Sequence, residues 1–318
     1  MSAAVPPLRM GTRGSALALW QTEAVRTRLH ALGYATERLE IRTTGDVILD
    51  IPLASIGSRA LFTKQLDDAM LEGRIDLAVH SLKDLPTQLP AGIRIAAISL
   101  REDPRDALVG RGPLRWRDVP IGATIATSSL RRRAQLLSAR PDLSVVDVRG
   151  NVDTRLAKLD RSDLWSATLL ATAGLVRLGL AARIGERLDP ALMLPAPGQG
   201  ALAVTTRSDD ARAAAAAAVL HHEPTATAVT AERAFLRRLE GGCQVPVAAL
   251  AELVDGQLRL RGRVASLDGS VVVEGERSAA PDAAAALGLA LAEELIGRGA
   301  DRVLAEVRLT APLPQFEP

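Results

Sequence analysis

Four segments of the chain gather side chains that could do chemistry. In Asp76–Pro86 (DLAVHSLKDLP) an apolar run ends by presenting His80, Ser81, Lys83 and Asp84 just ahead of a proline. Lys83 offers a cation to an acidic substrate, and Asp84 a carboxylate for proton transfer or for facing a developing positive charge. An ordinary strand exit with a solvated ion pair would use the same residues. In Gly11–Gln21 (GTRGSALALWQ), Arg13 and Ser15 fall at a strand-to-helix junction, where backbone N–H groups and the helix dipole favour an anion. A tight turn with a helix cap accounts for them equally well. Ala126–Arg133 (ATSSLRRR) sets three arginines in the first turn of a helix capped by Ser128 or Ser129. Arg149 and Arg155 flank Gly150-Asn151 at the next such junction, and Arg177 follows in AGLVRLGL. Cations at a helix N-terminus oppose its dipole. A bound polyanion would offset that cost, and forked guanidiniums suit carboxylates. Repetition at successive junctions weighs against a merely solvated basic face. Finally, Leu239–Pro246 (LEGGCQVP) carries Cys243, the only cysteine. Two preceding glycines leave the backbone unhindered, so an exposed, reactive thiol competes with a buried small hydrophobe. A hydrolytic cysteine would need a histidine partner, and His80 is the only one placed for a cleft.

The elements that must position these groups follow an α/β rhythm. Strands are expected at 8–12, 36–41, 77–79 and 93–98. Helices are expected after Ser15, with an apolar stripe of Leu17, Trp20, Ala24, Val25, Leu29 and Leu32, and over 62–72. That alternation predicts a mostly parallel sheet covered on both faces. After Asp106 the rhythm restarts, with strands at 124–126, 144–148 and 167–171 and helices at 130–138 and 152–160. Two such units imply two lobes with a cleft at the carboxyl ends of the strands. From about residue 222, the strand stretches expected at 253–260 and 267–273 carry Asp255-Gly256 and Asp268-Gly269, hairpin signals of an antiparallel sheet, with a helix over 282–297. The fold class is therefore α/β, with a small C-terminal α+β domain. The expected units are 1–99 with 200–220, 100–199, and 221–318.

Composition narrows the function. The chain has 318 residues, 39 basic against 37 acidic, and only three tryptophans, one tyrosine and three phenylalanines. A nucleic-acid binder would want a basic excess or stacking platforms, so none is expected as a partner. No apolar run approaches the ~18 residues of a membrane span, and the start has no basic head followed by an apolar core, which predicts no export signal. A single cysteine excludes a disulfide within the chain and a multi-cysteine metal site. Of the basic residues only Lys64, Lys83 and Lys158 are lysines. A GC-rich genome that replaces lysine by arginine accounts for most of that imbalance, and under it a surviving lysine is a candidate for a place where arginine would not serve.

Taken in order, TTGDVILD, HSLKDLP, REDPRDAL, TSSLRRRAQL, RGNVDTRL, LPAPGQGAL and TAERAFLRRLEGGCQVPVAA resemble the porphobilinogen deaminase (hydroxymethylbilane synthase) family, from Leu8 to Arg308. The resemblance implies two lobes like periplasmic binding proteins and a third domain carrying the cysteine. It implies a monomeric cytoplasmic transferase that joins porphobilinogen units head to tail with loss of ammonia, and needs no metal. Its primer, a dipyrromethane cofactor, would be held by a thioether to Cys243, and Asp84 would be the catalytic carboxylate. Arg13, Ser15, Gln21, Lys83, Ser129, Arg131, Arg132, Arg149, Arg155 and Arg177 would bind the acid groups of cofactor and substrate. Ser55 and Arg59 stand where the family commonly has lysines. Set against this are a non-catalytic two-lobed binding protein for an anionic small molecule, which would leave Cys243 without a task, and a cysteine hydrolase, whose thiol would react freely with iodoacetamide.

Overall fold

A computed structural model describes residues 6–43, 63–239 and 245–310. Cys243, Ser55 and Arg59 lie outside these residues. The first lobe begins with β1 (Leu8–Thr12), β2 (Thr36–Glu40), β3 (Leu77–Ser81) and β4 (Ile93–Ile98). The second is built on β5 (Asp106–Gly110), β6 (Thr124–Ala126), β7 (Ser144–Val146), β8 (Ala167–Ala171) and β9 (Glu186–Arg187), in the order β7-β6-β8-β5-β9. The chain then returns, and β10 (Leu202–Arg207) inserts into the first sheet, giving β2-β1-β3-β10-β4.

Neither sheet is as parallel as the alternation predicts. β1 runs parallel to β2 and β3, but β10 is antiparallel to β3 and β4. Likewise β6 is parallel to β7 and β8, whereas β5 is antiparallel to β8 and β9. The cause is the double crossing between lobes, over 99–105 and 195–201, after which β5 and β10 enter their sheets against the run of their neighbours. The two crossings touch. Glu102 N–H donates to the Gly200 carbonyl at 3.1 Å. Gly200 has φ +92°, and a Cβ there would strike the Glu102 backbone, so only glycine fits.

Ser15 caps the helix Ala16–Ala31 as expected, its Oγ accepting from Ala18 N–H. The buried face is rotated from the expected stripe. Val25 and Leu29 join Leu8, Met10 and Leu77 in the core, and Gln21 and Thr22 are buried. Trp20 is 41 % exposed and Leu32 51 % exposed. Gln21 is drawn inward because its Nε2 donates to Ser81 Oγ at 2.8 Å, at the end of β3.

The C-terminal unit is an antiparallel sheet of β11 (Val247–Val254), β12 (Gln257–Ala265) and β13 (Val272–Ala279), covered by helices Glu223–Arg238 and Ala284–Gly297 around a fully buried Phe235. Both hairpin turns fall where the Asp-Gly pairs place them. The strand expected at 253–260 contains the first turn, and the one at 267–273 only overlaps β13. β11 begins in an apolar run, VAALA, with no polar alternation to mark its start.

Candidate active site

β3 ends in a single 3-10 turn, Leu82–Asp84, which lifts Lys83 and Asp84 off the sheet edge. Both are half-buried, while Leu82 and Leu85 on either side anchor the turn in the core. Lys83 Nζ donates to Gln199 Oε1 at 3.2 Å. Burial, with Arg132 and Arg131 nearby, pushes the Lys83 ammonium down to about 8, against the pull of Asp84 and Asp106.

The opposite wall is the helix Leu130–Ala139. Ser129 is its N-cap, its Oγ accepting from Arg132 N–H. Arg131 and Arg132 are both buried, and their counter-charge comes from within the lobe. Asp106, at the start of β5 and fully buried, takes Arg131 Nη1 on one oxygen and Arg132 Nη2 on the other, each at 2.7 Å. Burial alone would raise the Asp106 carboxyl, but the two guanidiniums outweigh it and hold the group well below the ordinary carboxylate range. Asp106 is thus a built-in counter-charge for the pair, beside any bound polyanion. Arg131 Nη1 also donates to the Leu194 carbonyl and Arg132 Nη1 to the Leu169 carbonyl, both at 2.8 Å.

Asn151 caps the next helix, Val152–Arg161, and Arg155 Nε donates back to the Gly150 carbonyl at 2.8 Å. Burial pushes the Arg155 guanidinium down to about 10. Arg132 and Arg149 add to that shift, and Asp84, from the other lobe, opposes it. Even so lowered, the group stays charged at neutral pH. Lys83, Asp84, Arg131, Arg132, Arg149 and Arg155 therefore belong to one electrostatic cluster spanning both lobes. Arg13 lies close enough to lower His80. Arg177 is at the crossing, with Nη2 on the Gly200 carbonyl at 2.6 Å.

His80 is a buried residue of the sheet. It is buried on β3 with Nε2 3.1 Å from Thr205 Oγ1, and burial pushes it down to about 4, so its ring is neutral. Three residues outside the expected set matter more. Asp106 neutralises the arginine pair. Gln199 donates from Nε2 to Asp106 Oδ1 (3.1 Å) and to the Pro104 carbonyl (2.7 Å) while accepting from Lys83. Glu232, fully buried, takes a fork from Arg101 (2.6 and 3.1 Å) and the N–H groups of Gly198 (2.6 Å) and Ala251 (2.8 Å). All three sit inside quoted motifs, but their partners are distant in sequence.

A family model described as "Porphobilinogen deaminase, dipyromethane cofactor binding domain" matches residues 8–215, and one described as "Porphobilinogen deaminase, C-terminal domain" matches 226–297. A porphobilinogen deaminase from Desulforudis audaxviator (strain MP104C) is 52% identical over 306 residues, covering 95% of this chain and 98% of that protein. The chain belongs to the porphobilinogen deaminase family. Solved structures it resembles include the methionine binding protein MetQ (12% identity, 67% of this chain and 89% of that one, TM-score 0.41). A periplasmic substrate-binding protein of an ABC transporter from Coxiella burnetii is another (14% identity, 71% and 96%, TM-score 0.42). The match over 8–215 takes in Lys83, Asp84, Arg131, Arg132, Arg149 and Arg155, and Cys243 falls within the second match.

Proposed function

We propose that the cleft holds the acid side chains of a dipyrromethane primer and of porphobilinogen, with Asp84 beside the reacting pyrrole. As a member of the porphobilinogen deaminase family the chain is a transferase, which links porphobilinogen units head to tail and releases ammonia. The observation that carries the site assignment is the cluster itself: Lys83 and Asp84 of one lobe are electrostatically coupled to Arg131, Arg132 and Arg155 of the other.

The residues present fit a polyacidic group. Lys83 and Arg155 are driven down by burial and by neighbouring cations, a crowding that bound carboxylates would relieve. Lys83, Arg155, Arg149 and Arg13 would take acetate and propionate groups, with Gln21, Ser15, Ser129 and Arg177 completing the walls. Arg131 and Arg132 would share their remaining donors with a ligand while staying paired to Asp106. When bound through Cys243, the dipyrromethane supplies a tethered pyrrole carbon as nucleophile, which makes each addition effectively intramolecular. Loss of ammonia from porphobilinogen leaves a cationic methylene-pyrrole. Asp84 would face that cation and then accept the proton released as the new ring regains aromaticity.

We also propose that the units divide at 1–99 with 200–220, 100–199 and 221–318, and that the chain works as a cytoplasmic monomer on small molecules rather than nucleic acid. The near-balanced charge supports the last point. Among the described residues no helix is long and apolar enough to cross a membrane, and no cluster of His, Cys, Asp and Glu could hold a metal.

The deciding experiment is the intact mass of freshly purified protein. It should exceed the chain mass by a dipyrromethane, and Cys243→Ser should remove the excess. Full activity with an unmodified Cys243 would overturn the assignment.

A further inference from the structure

We propose that Arg263, on the C-terminal sheet, is a positioning residue for Arg131 in the cleft. The inference rests on the functional reading above. Arg263 lies on β12 with its side chain 17% exposed, and its fork reaches into the second lobe. Nη1 donates to Gln135 Oε1 at 2.9 Å and to the Leu192 carbonyl at 3.3 Å, and Nη2 donates to the Ala191 carbonyl at 3.0 Å. Nε is held by Glu274 on β13 at 2.7 Å, which fixes the plane of the fork.

Gln135 is the next link. It is buried one turn after Arg131 on the same helix. Its Oε1 accepts from Leu194 N–H at 2.9 Å and its Nε2 donates to the Leu194 carbonyl at 3.0 Å, so one amide clamps both polar groups of one residue. That same Leu194 carbonyl receives Arg131 Nη1 at 2.8 Å. The path from Arg263 to Arg131 therefore runs through Gln135 and one peptide carbonyl, every step a hydrogen bond of 3.0 Å or less. Arg131 then has two fixed points, the Leu194 carbonyl and Asp106, which together set the direction of its remaining donors. The β12–β13 turn reinforces the docking. Gly269 presses on the helix so closely that a Cβ would collide with the backbone of Leu137 and Ser138. The arginine-bearing helix is thus gripped by the domain that carries Cys243, and the aim of Arg131 is coupled to that domain's seat.

The test uses full-length protein as purified, comparing wild type with Arg263→Ala, Arg263→Lys, Gln135→Ala and the Arg263→Ala/Gln135→Ala double variant. Arg263→Ala should lower the fraction carrying dipyrromethane by intact mass and raise KM for porphobilinogen about threefold to tenfold, with kcat much less changed. Arg263→Lys should recover part of both, because its ammonium can still reach Gln135. If one path joins the residues, the double variant should be no worse than the worse single variant. NMR of the Arg131 Nε–H supplies a readout independent of turnover: its exchange with solvent should quicken in Arg263→Ala. Wild-type loading, KM and Arg131 exchange with only a lowered melting midpoint would overturn the proposal and leave Arg263 a plain tether. Wild type that neither carries dipyrromethane nor consumes porphobilinogen would instead overturn the functional reading, and the exchange measurement would still decide the role of Arg263.

Discussion

Lys83 and Asp106 lie in different lobes and share one partner, Gln199, which accepts from the Lys83 ammonium and donates to the Asp106 carboxylate. The amide has no charge of its own, yet it joins the only lysine of the cleft to the acid that neutralises its two buried arginines. Because Gln199 sits on the return crossing, the polar wiring of the site passes between the lobes.

Asp106→Asn should destabilise the protein by about 3–5 kcal/mol, since it leaves Arg131 and Arg132 buried with no counter-charge. Urea unfolding of full-length protein measures it, and a loss below about 1 kcal/mol would show that water or another acid compensates. The same geometry reverses a simpler expectation. Three arginines in one helical turn suggest that Arg132→Leu should relieve crowding; with Asp106 beneath, the substitution should cost stability.

Lys83 gives the site a pH limit. Its ammonium is pushed down to about 8 from an ordinary 10.5. A carboxylate ligand needs the charged form, so KM for porphobilinogen should rise as pH climbs through about 8. Folding stability should move the other way. Between about 8 and 10.5 the unfolded chain holds a proton on this residue that the folded chain has lost, so ligand-free protein gains stability across that window. Lys83→Arg stays charged throughout and should flatten the alkaline rise in KM. A wild-type KM constant from pH 7 to 10 would exclude Lys83 as an acid-group ligand.

What the sequence disclosed and what it hid divide along one physical line. β1, β4, β6 and β8, the cap Ser15, a cap at Ser128 or Ser129, and both Asp-Gly turns were legible because local periodicity and turn chemistry determine them. Asp106 was not, because its role comes from Arg131 and Arg132 across the sheet and its own strand runs antiparallel. Trp20 looked like core and is exposed, because a partly buried hydrogen bond from Gln21 to Ser81 draws Gln21 inward in its place. His80 looked like a cleft base from its place in the motif, yet alternation along β3 sends its ring inward to Thr205.

Glu232→Gln should loosen the two crossings between the lobes. The carboxylate ties Arg101 on the first crossing, Gly198 on the second and Ala251 on β11. An amide of the same shape loses the charge and one acceptor, and a hydrogen bond to a charged group contributes about 1.5–3 kcal/mol. Limited trypsin digestion should cut after Arg101 or Arg105 faster in the variant than in wild type. Equal cutting rates would mean that the crossings are held without Glu232.

Asp84 carries the last prediction. It is half-buried at the end of a 3-10 turn anchored by Leu82 and Leu85, so its removal should leave the fold intact. Its charge acts on Lys83 of its own lobe and on Arg155 of the other, as the proposed role beside the reacting pyrrole requires. Losing one preorganised electrostatic partner costs roughly 2.7–4 kcal/mol, or about a hundred- to a thousand-fold in rate. Asp84→Ala and Asp84→Asn should therefore release ammonia at that reduced rate with an unchanged melting midpoint, while Asp84→Glu retains partial turnover because it keeps the charge. Single-turnover kinetics on dipyrromethane-loaded protein separate this step from binding. Near-normal ammonia release by Asp84→Ala would shift the acid–base role elsewhere.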